Sequence, residues 1–174
     1  DSAKEFVKKK QQDSESKEKE EKVKEQEKEK RIEQRQLAKE RIPIIAKSLL
    51  ECKQGTIIVD DITMELAESG KANFCYSTSD NYDDVFHIGL GEVLCKADPK
   101  LVYCGLFEQG EKIRVIVYAG ENISKEKSAG EIVKSISQIL GGAGGGSPKF
   151  AQGGGIDKSK KEDAIKNAKS MIIE

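Results

Sequence analysis

The chain has 174 residues, with 30 Lys/Arg against 31 Asp/Glu and a formal net charge of −1. That length allows one ordinary domain plus an appendage. No apolar run approaches the roughly 20 residues that cross a bilayer, and no signal peptide is visible. A cytoplasmic protein with no membrane partner is therefore expected. Charge is unevenly spread: residues 1–41 carry 14 basic and 12 acidic side chains, residues 42–109 carry 5 and 11, and residues 110–174 carry 11 and 8. The basic excess lies in the C-terminal part, where a polyanion could dock.

Residues 3 to about 40 contain no proline or glycine and are rich in Lys, Glu and Gln, all good helix formers. Oppositely charged pairs such as Glu18–Lys22 and Glu20–Lys24 add i,i+4 support. Phe6, Val7, Val23, Ile32 and Leu37 are too sparse to fill the a and d positions of a coiled coil. A solvated helix or spacer is expected over residues 1–30, with a weak coiled coil as the alternative. Asp1 falls in the middle of this pattern, so the chain is expected to be a fragment of a longer protein.

From Leu37 to Cys52 the pattern changes. Leu37, Arg41, Ile44, Ile45, Leu49 and Leu50 reproduce a helical face, which Ile42 widens. Pro43 should kink or split the helix near Arg41–Ile42. Such an aliphatic face needs a cover, either the globular part of the same chain or the equivalent helix of a second chain.

Strand signals follow. Thr56–Asp60 and, more weakly, Ala72–Tyr76 are candidates. Leu101–Phe107 and Lys112–Tyr118 are stronger, and Glu108–Glu111 between them suits a hairpin turn. Asn81–Lys96 reads as a helix with Val85, Ile88 and Val93 inward. Ser128-x-x-Glu131 and Ser159-x-x-Glu162 match the capping box at two later helix starts. The expected class is α/β (α+β): a long N-terminal helical segment, then a globular domain with a mixed β-sheet flanked by helices. The expected division is a helical subdomain over residues 1–54 and a globular one over residues 55–174.

Signs of catalysis are thin. His87 is the one histidine, and a lone histidine in an apolar setting reads as structural. Adjacent carboxylates point to opposite faces of a strand, so Asp60–Asp61 and Asp83–Asp84 are expected to flank a turn or cap a helix. Cys52, Cys75, Cys95 and Cys104 form no close pair, so no metal site is expected and reduced core thiols are the simpler reading. No catalytic residue is assigned, and the chain reads as a binding and assembly module.

The most informative stretch is GGAGGGSPKFAQGGG, Gly141–Gly155, which holds eight of the 16 glycines. Glycine costs about 0.5–1 kcal/mol in a helix or strand interior, so this density implies positive φ or close approach of another group. Helix-like stripes precede it (Ile132, Val133, Ile136, Ile139, Leu140) and follow it (Ala164, Ile165, Ala168, Met171, Ile172). A structured, ligand-facing loop is expected, its N–H groups beside a helix N-terminus offering a cradle for phosphate. Gly142-x-Gly144-x-x-Ser147 lacks the third glycine of a dinucleotide fingerprint and follows a helix, not a strand. Lys158, Lys160 and Lys161 crowd the start of the last helix, where the macrodipole disfavours cations. Lys149 lies in the loop, and Lys134 sits on an outward helix face. The candidate nucleic-acid contacts are Gly144, Gly145, Gly146, Lys149, Gln152, Lys134, Lys158, Lys160 and Lys161. They should act mainly on phosphates, because Phe150 is the sole aromatic in the loop for stacking.

The pattern GGxGGGxPxxAQxGG with a short lysine-rich helix after it resembles the C-terminal domain of alanyl-tRNA synthetase. A related glycine-rich module accompanies the DHH phosphoesterases. The match covers roughly Ser128–Glu174, with Ser147, Lys149 and Phe150 standing where many relatives have arginine, an acidic residue and methionine. The resemblance implies a non-catalytic region that binds the body of tRNA(Ala) and forms a homodimer through Leu37, Ile42, Ile45, Leu49 and Leu50. It implies no cofactor in this fragment, and ATP, magnesium and an editing-domain zinc in the parent ligase. The alternative is the substrate-binding half of a DHH-type phosphoesterase or nuclease without its catalytic domain. Phosphoesterase versions typically carry a histidine in the loop, which is missing here. A third reading is a structural spacer with a globular cap.

Overall fold

The structure is a computed structural model that describes residues 2–52, 54–59, 62–79 and 83–174. Asp60–Asp61 and the expected helix start at Asn81 lie outside the described residues. The chain forms two compact units, one up to Leu37 and one from Ala38 onward. The residues before Leu37 are helical and almost all exposed, as their charge density requires.

In the second unit, β4 (Leu101–Gln109) and β5 (Lys112–Ala119) form the middle of a seven-stranded sheet of order β1-β2-β3-β4-β5-β7-β6. The nearly unbroken apolar run of β4 suits a strand covered on both faces, and β5 buries Val115, Ile116 and Val117 at its centre. Gly110, at φ 61°, makes the expected turn between them. The sheet continues through β1 (Gly55–Val59), β2 (Ile62–Glu68) and β3 (Asn73–Ser79) on one side. β6 (Ala143–Gly146) and β7 (Phe150–Gly155) complete the other. Among the described residues only β3 and β4 pair in parallel. Helix α2 (Asp84–Ala97) joins that pair, since parallel neighbours need a crossover.

Alternation divides the sheet. Val102, Cys104 and Leu106 of β4, with Ile113, Val115 and Val117 of β5, share a core with α3 (Ala129–Ile139) and α4 (Lys161–Ile173). Tyr103, Gly105 and Phe107 meet α2 on the other face. Helix α2 presents Phe86, His87, Leu90, Gly91 and Leu94 inward. This corrects the expected Val85, Ile88 and Val93 face; Val93 is 42 % exposed. The rotation follows from Gly91, whose missing Cβ leaves room for the Tyr103 and Tyr118 rings.

Helix α1 (Ser2–Glu51) runs through Pro43 without a break, contrary to the expected split. Pro43 and Lys39 are both exposed, so water can satisfy the Lys39 carbonyl that loses its donor. Ala38, Ile45, Ala46 and Leu49 form one buried stripe. Ile45 and Leu49 are each 1 % exposed within the single chain. Leu49 lines a 230 Å³ cavity with Leu66, Phe74 and Leu94, and Ile42 lies against Gly89 of α2. The chain's own globular part therefore covers much of the face expected to await a second copy. Ile44 (61 %) and Leu50 (43 %) remain exposed.

Neither capping box forms. Ser128 precedes α3 without a side-chain cap. Instead Ala129 and Gly130 donate to the carbonyls of Pro148 and Ser147. Before α4, Asp157 accepts from the Ser159 amide and caps a short 3₁₀ turn, Lys158–Lys160. Nearby backbone carbonyls and an earlier carboxylate thus replace the expected local pairs.

Candidate nucleic-acid interface

The glycine run folds as a β-hairpin at one end of the sheet, correcting the expected loop. Gly142 N–H donates to Ser137 O, and Gly141 takes φ 74° at the end of α3, as a helix C-cap requires. The chain then forms β6, turns at Ser147–Phe150 and returns as β7. Ser147 holds the turn: its amide and hydroxyl both donate to Phe150 O, while its Oγ accepts from Phe150 N–H.

Most of these glycines serve packing within the chain. A Cβ at Gly144 would stand 2.7 Å from Val133 Cγ1 and 2.8 Å from Ser137 Oγ. One at Gly146 would meet Phe150 O and Ala151, and Gly130 of α3 lies against Gly146 O. Ser137 Oγ accepts from the Gly154 amide at 3.2 Å. Helix α3 thus rests directly on the hairpin backbone. Gly145 differs: its nearest neighbour is Lys134 Cε, 4.0 Å from where a Cβ would be. Of the three glycines expected to face a ligand, Gly145 alone has open space at its α-carbon.

The candidate lysines do not form one cluster. Lys149 sits at the hairpin tip, 3.8 Å from Glu121 and 63 % exposed. Lys158, Lys160 and Lys161 begin after Gly155, at the opposite end of β7, which is about 17 Å long at 3.3 Å per residue. Lys158 is engaged: its Nζ bonds Glu108 at 3.0 Å and Gly110 O at 2.9 Å. The Lys158 hydrogen bond holds the Glu108 carboxyl below its usual range. Lys160 lies 4.0 Å from Asp163, and Glu162 with Asp163 offsets the cations in the first turn of α4.

Two cations missed in the sequence reading, Lys112 and Arg114, stand beside the hairpin. They alternate along β5 with buried Ile113 and Val115, and that period-2 pattern could have placed them on one face. Arg114 Nη2 donates to Gln152 Oε1 at 3.4 Å, while its buried Nε has no partner among the described residues. On the same face Tyr118 and Phe150 pack with ring centroids 4.7 Å apart.

His87 is structural in its surroundings. It is fully buried, with Nδ1 2.8 Å from Tyr103 Oη and 3.1 Å from Ser77 Oγ, and Nε2 3.0 Å from Ser79 Oγ. Its ring stacks on Phe107 at 5.1 Å. Burial lowers its pKa to about 3. Asp83 caps α2 by accepting from Val85 N–H at 3.1 Å. The four cysteines are free thiols, and burial pushes Cys95 up to about 12 and Cys75 and Cys104 higher still. Among the described residues no three His, Cys, Asp or Glu converge as a metal site would, and no helix is long and apolar enough to cross a membrane.

A mixed sheet covered by helices, edged by a glycine hairpin on which a helix rests, defines a domain of α/β class. The DHHA1 domain model matches residues 72–174, so the chain belongs to the DHHA1 domain family. It is 42 % identical over 172 residues to the alanine–tRNA ligase of Nitrosopumilus maritimus (strain SCM1), covering 99 % of this chain and 18 % of that protein. It is 39 % identical over 110 residues to the alanine–tRNA ligase of Cenarchaeum symbiosum (strain A), covering 63 % of this chain and 12 % of that protein. The chain thus spans less than a fifth of these relatives. Its fold is similar to the crystal structure of the C-Ala domain from Aquifex aeolicus alanyl-tRNA synthetase, with a TM-score of 0.58 and 25 % identity. That likeness covers 62 % of this chain and 96 % of the other.

Proposed function

We propose that the chain is the non-catalytic C-terminal region of a cytoplasmic alanine–tRNA ligase, which holds the body of tRNA(Ala) and joins two copies of the enzyme. The observation that carries this reading is the match of 99 % of the chain to an alanine–tRNA ligase. The bond-making chemistry, with its ATP, magnesium and zinc, belongs to other parts of the parent protein. The role of this part is to add binding energy and orientation to a tRNA engaged elsewhere.

Lys134 beside Gly145 and Lys149 at the hairpin tip, together with Lys160 and Lys161, supply phosphate contacts that position RNA without reading bases. Replacing Lys149, Lys160 and Lys161 with alanine should weaken tRNA binding and lower the salt slope by about 0.7–0.9 for each lost contact. Lys158→Ala should do less, because Glu108 and Gly110 already hold that ammonium. Filter binding at several salt concentrations checks both, and unchanged slopes would remove these lysines from the interface.

For the dimer, Ile44 and Leu50 are the exposed apolar side chains that a second copy would cover, beside half-buried Leu37 and Ile42. The double variant Ile44→Asp with Leu50→Asp should sediment as a folded monomer while the parent chain sediments as a dimer. Leu49→Asp is a poor test, since it places a charge in the core. A monomeric parent chain across the micromolar range would end the dimer reading.

A further inference from the structure

An open groove of about 420 Å³ lies along β5, β7 and β6. Its longer side chains are Lys112, Ile113, Arg114, Gln152 and Ile156, and none of the lining residues is acidic. The rest of its surface is largely the backbone of Gly141, Gly142 and Gly153–Gly155. Strand register explains the shape. Arg114 pairs with Gly154, which pairs in turn with Ala143, so the position beside the guanidinium has no side chain and the next has only a methyl. This row lies on the opposite side of the hairpin from Gly144 and Gly153, which pack on Ser137 of α3.

Two further features point to an anion. Among the described residues the buried Arg114 Nε has no partner, a cost that native structures rarely leave standing. Its Nη2 bond to Gln152 is long, at 3.4 Å. Gln152 is itself exposed, so an incoming group can displace its amide and take the planar guanidinium edge with two hydrogen bonds, the geometry arginine offers to phosphate. Lys112, exposed two residues away on the same face, adds a second positive charge.

We propose that this groove seats a phosphate of the bound RNA, with Arg114 as its two-pronged ligand, Lys112 as the second cation and the Gly154–Ala143 row as the floor. The inference rests on the RNA-binding reading above and locates a contact that reading does not include. The phosphate lies on the face shared with the Tyr118–Phe150 rings, so a strand seated here runs along the sheet toward Lys149 at the hairpin tip.

The test uses the whole chain and a tRNA(Ala) transcript in filter binding at several salt concentrations. The double variant Lys112→Ala with Arg114→Gln should lose roughly 1.4–1.8 in salt slope. Ala143→Glu, an exposed position where extra volume meets no core, should weaken binding about tenfold by placing a carboxylate on the floor. If the double variant melts early, Ala143→Glu decides alone. Parent-like binding by the groove variants, with loss in the Lys149, Lys160 and Lys161 variant, overturns the groove and leaves the RNA-binding reading intact. No tRNA binding by the parent chain overturns both. Inorganic phosphate that shifts the Gly153–Gly155 amide resonances, with tRNA binding indifferent to all groove variants, would make this a free-anion site and also overturn the proposal.

Discussion

Gly144→Val is expected to destabilise the chain by about 2–3 kcal/mol, while Gly145→Val, one residue along, changes stability by no more than about 0.5 kcal/mol. The two glycines are neighbours on β6 and point to opposite faces. A side chain at Gly144 would enter a space already filled by Val133 Cγ1, Ser137 Oγ and the Gly153 α-carbon, all within 2.7–2.8 Å of the new Cβ. None of these is the free end of a flexible side chain. Helix α3 would have to lift from the hairpin, weakening the Ser137–Gly154 hydrogen bond. At Gly145 the added atoms meet only the distant Lys134 methylene, 4.0 Å away. Thermal unfolding should show a drop of about 4–12 °C for Gly144→Val. Equal melting temperatures would refute the packing account of the glycine run. The pair also separates structure from function, because a folded Gly145→Val protein with weakened tRNA binding would place RNA on the open face.

The second large effect is on pH dependence. His87 has a pKa near 3 in the folded chain, against 6.5 as the ordinary value, because burial disfavours the imidazolium. Below pH 6.5 the unfolded chain therefore binds a proton that the folded chain refuses. Stability is fully present above that pH and falls as pH drops toward 3. At about 1.4 kcal/mol per pH unit, roughly 2–3 kcal/mol should be gone by pH 4.5. Tyr103, Ser77 and Ser79 surround the ring and bring no charge to stabilise an imidazolium. Asp83, at the start of the same helix, works in the opposite sense. Burial raises its pKa, so its protonation relieves a cost as the pH falls. His87→Phe should lose about 1–3 kcal/mol at pH 7.5, by leaving hydroxyl partners unmet, yet show a flatter profile between pH 6.5 and 4.5. Urea unfolding at pH 7.5, 5.5 and 4.5 reads the difference. Parallel profiles for the two proteins would exclude His87 as the titrating group.

Much of this molecule was legible from local pattern, and its failures follow a rule. The central strands and their turn were visible because β4 and β5 are long β-branched and apolar runs separated by Gly110. The lone histidine read as structural, and it is buried among three hydroxyl groups. β2 (Ile62–Glu68) went unseen because Glu65 and Glu68 interrupt its apolar signal, and Glu65 has partners far away, at Tyr76 and Lys169. β6 and β7 escaped because glycine has low strand preference, and their strands exist through pairing with β5 and contact with α3.

By itself the sequence determined the charged helix, the middle of the sheet and the glycine signature that marks the family, since each is written in neighbouring residues. Tertiary structure alone decided which face of α1 is covered, because Ile45 and Leu49 find their partners in the sheet domain of the same chain. It also decided which lysines are engaged, since Lys158 is held by a carboxylate fifty residues earlier. The glycines' use was settled the same way, as their missing Cβ atoms have meaning only once α3 rests on one side of the hairpin and Arg114 stands on the other. Close approach, ion pairing and grooves depend on the distance between elements remote in sequence, and a local pattern carries no record of that distance.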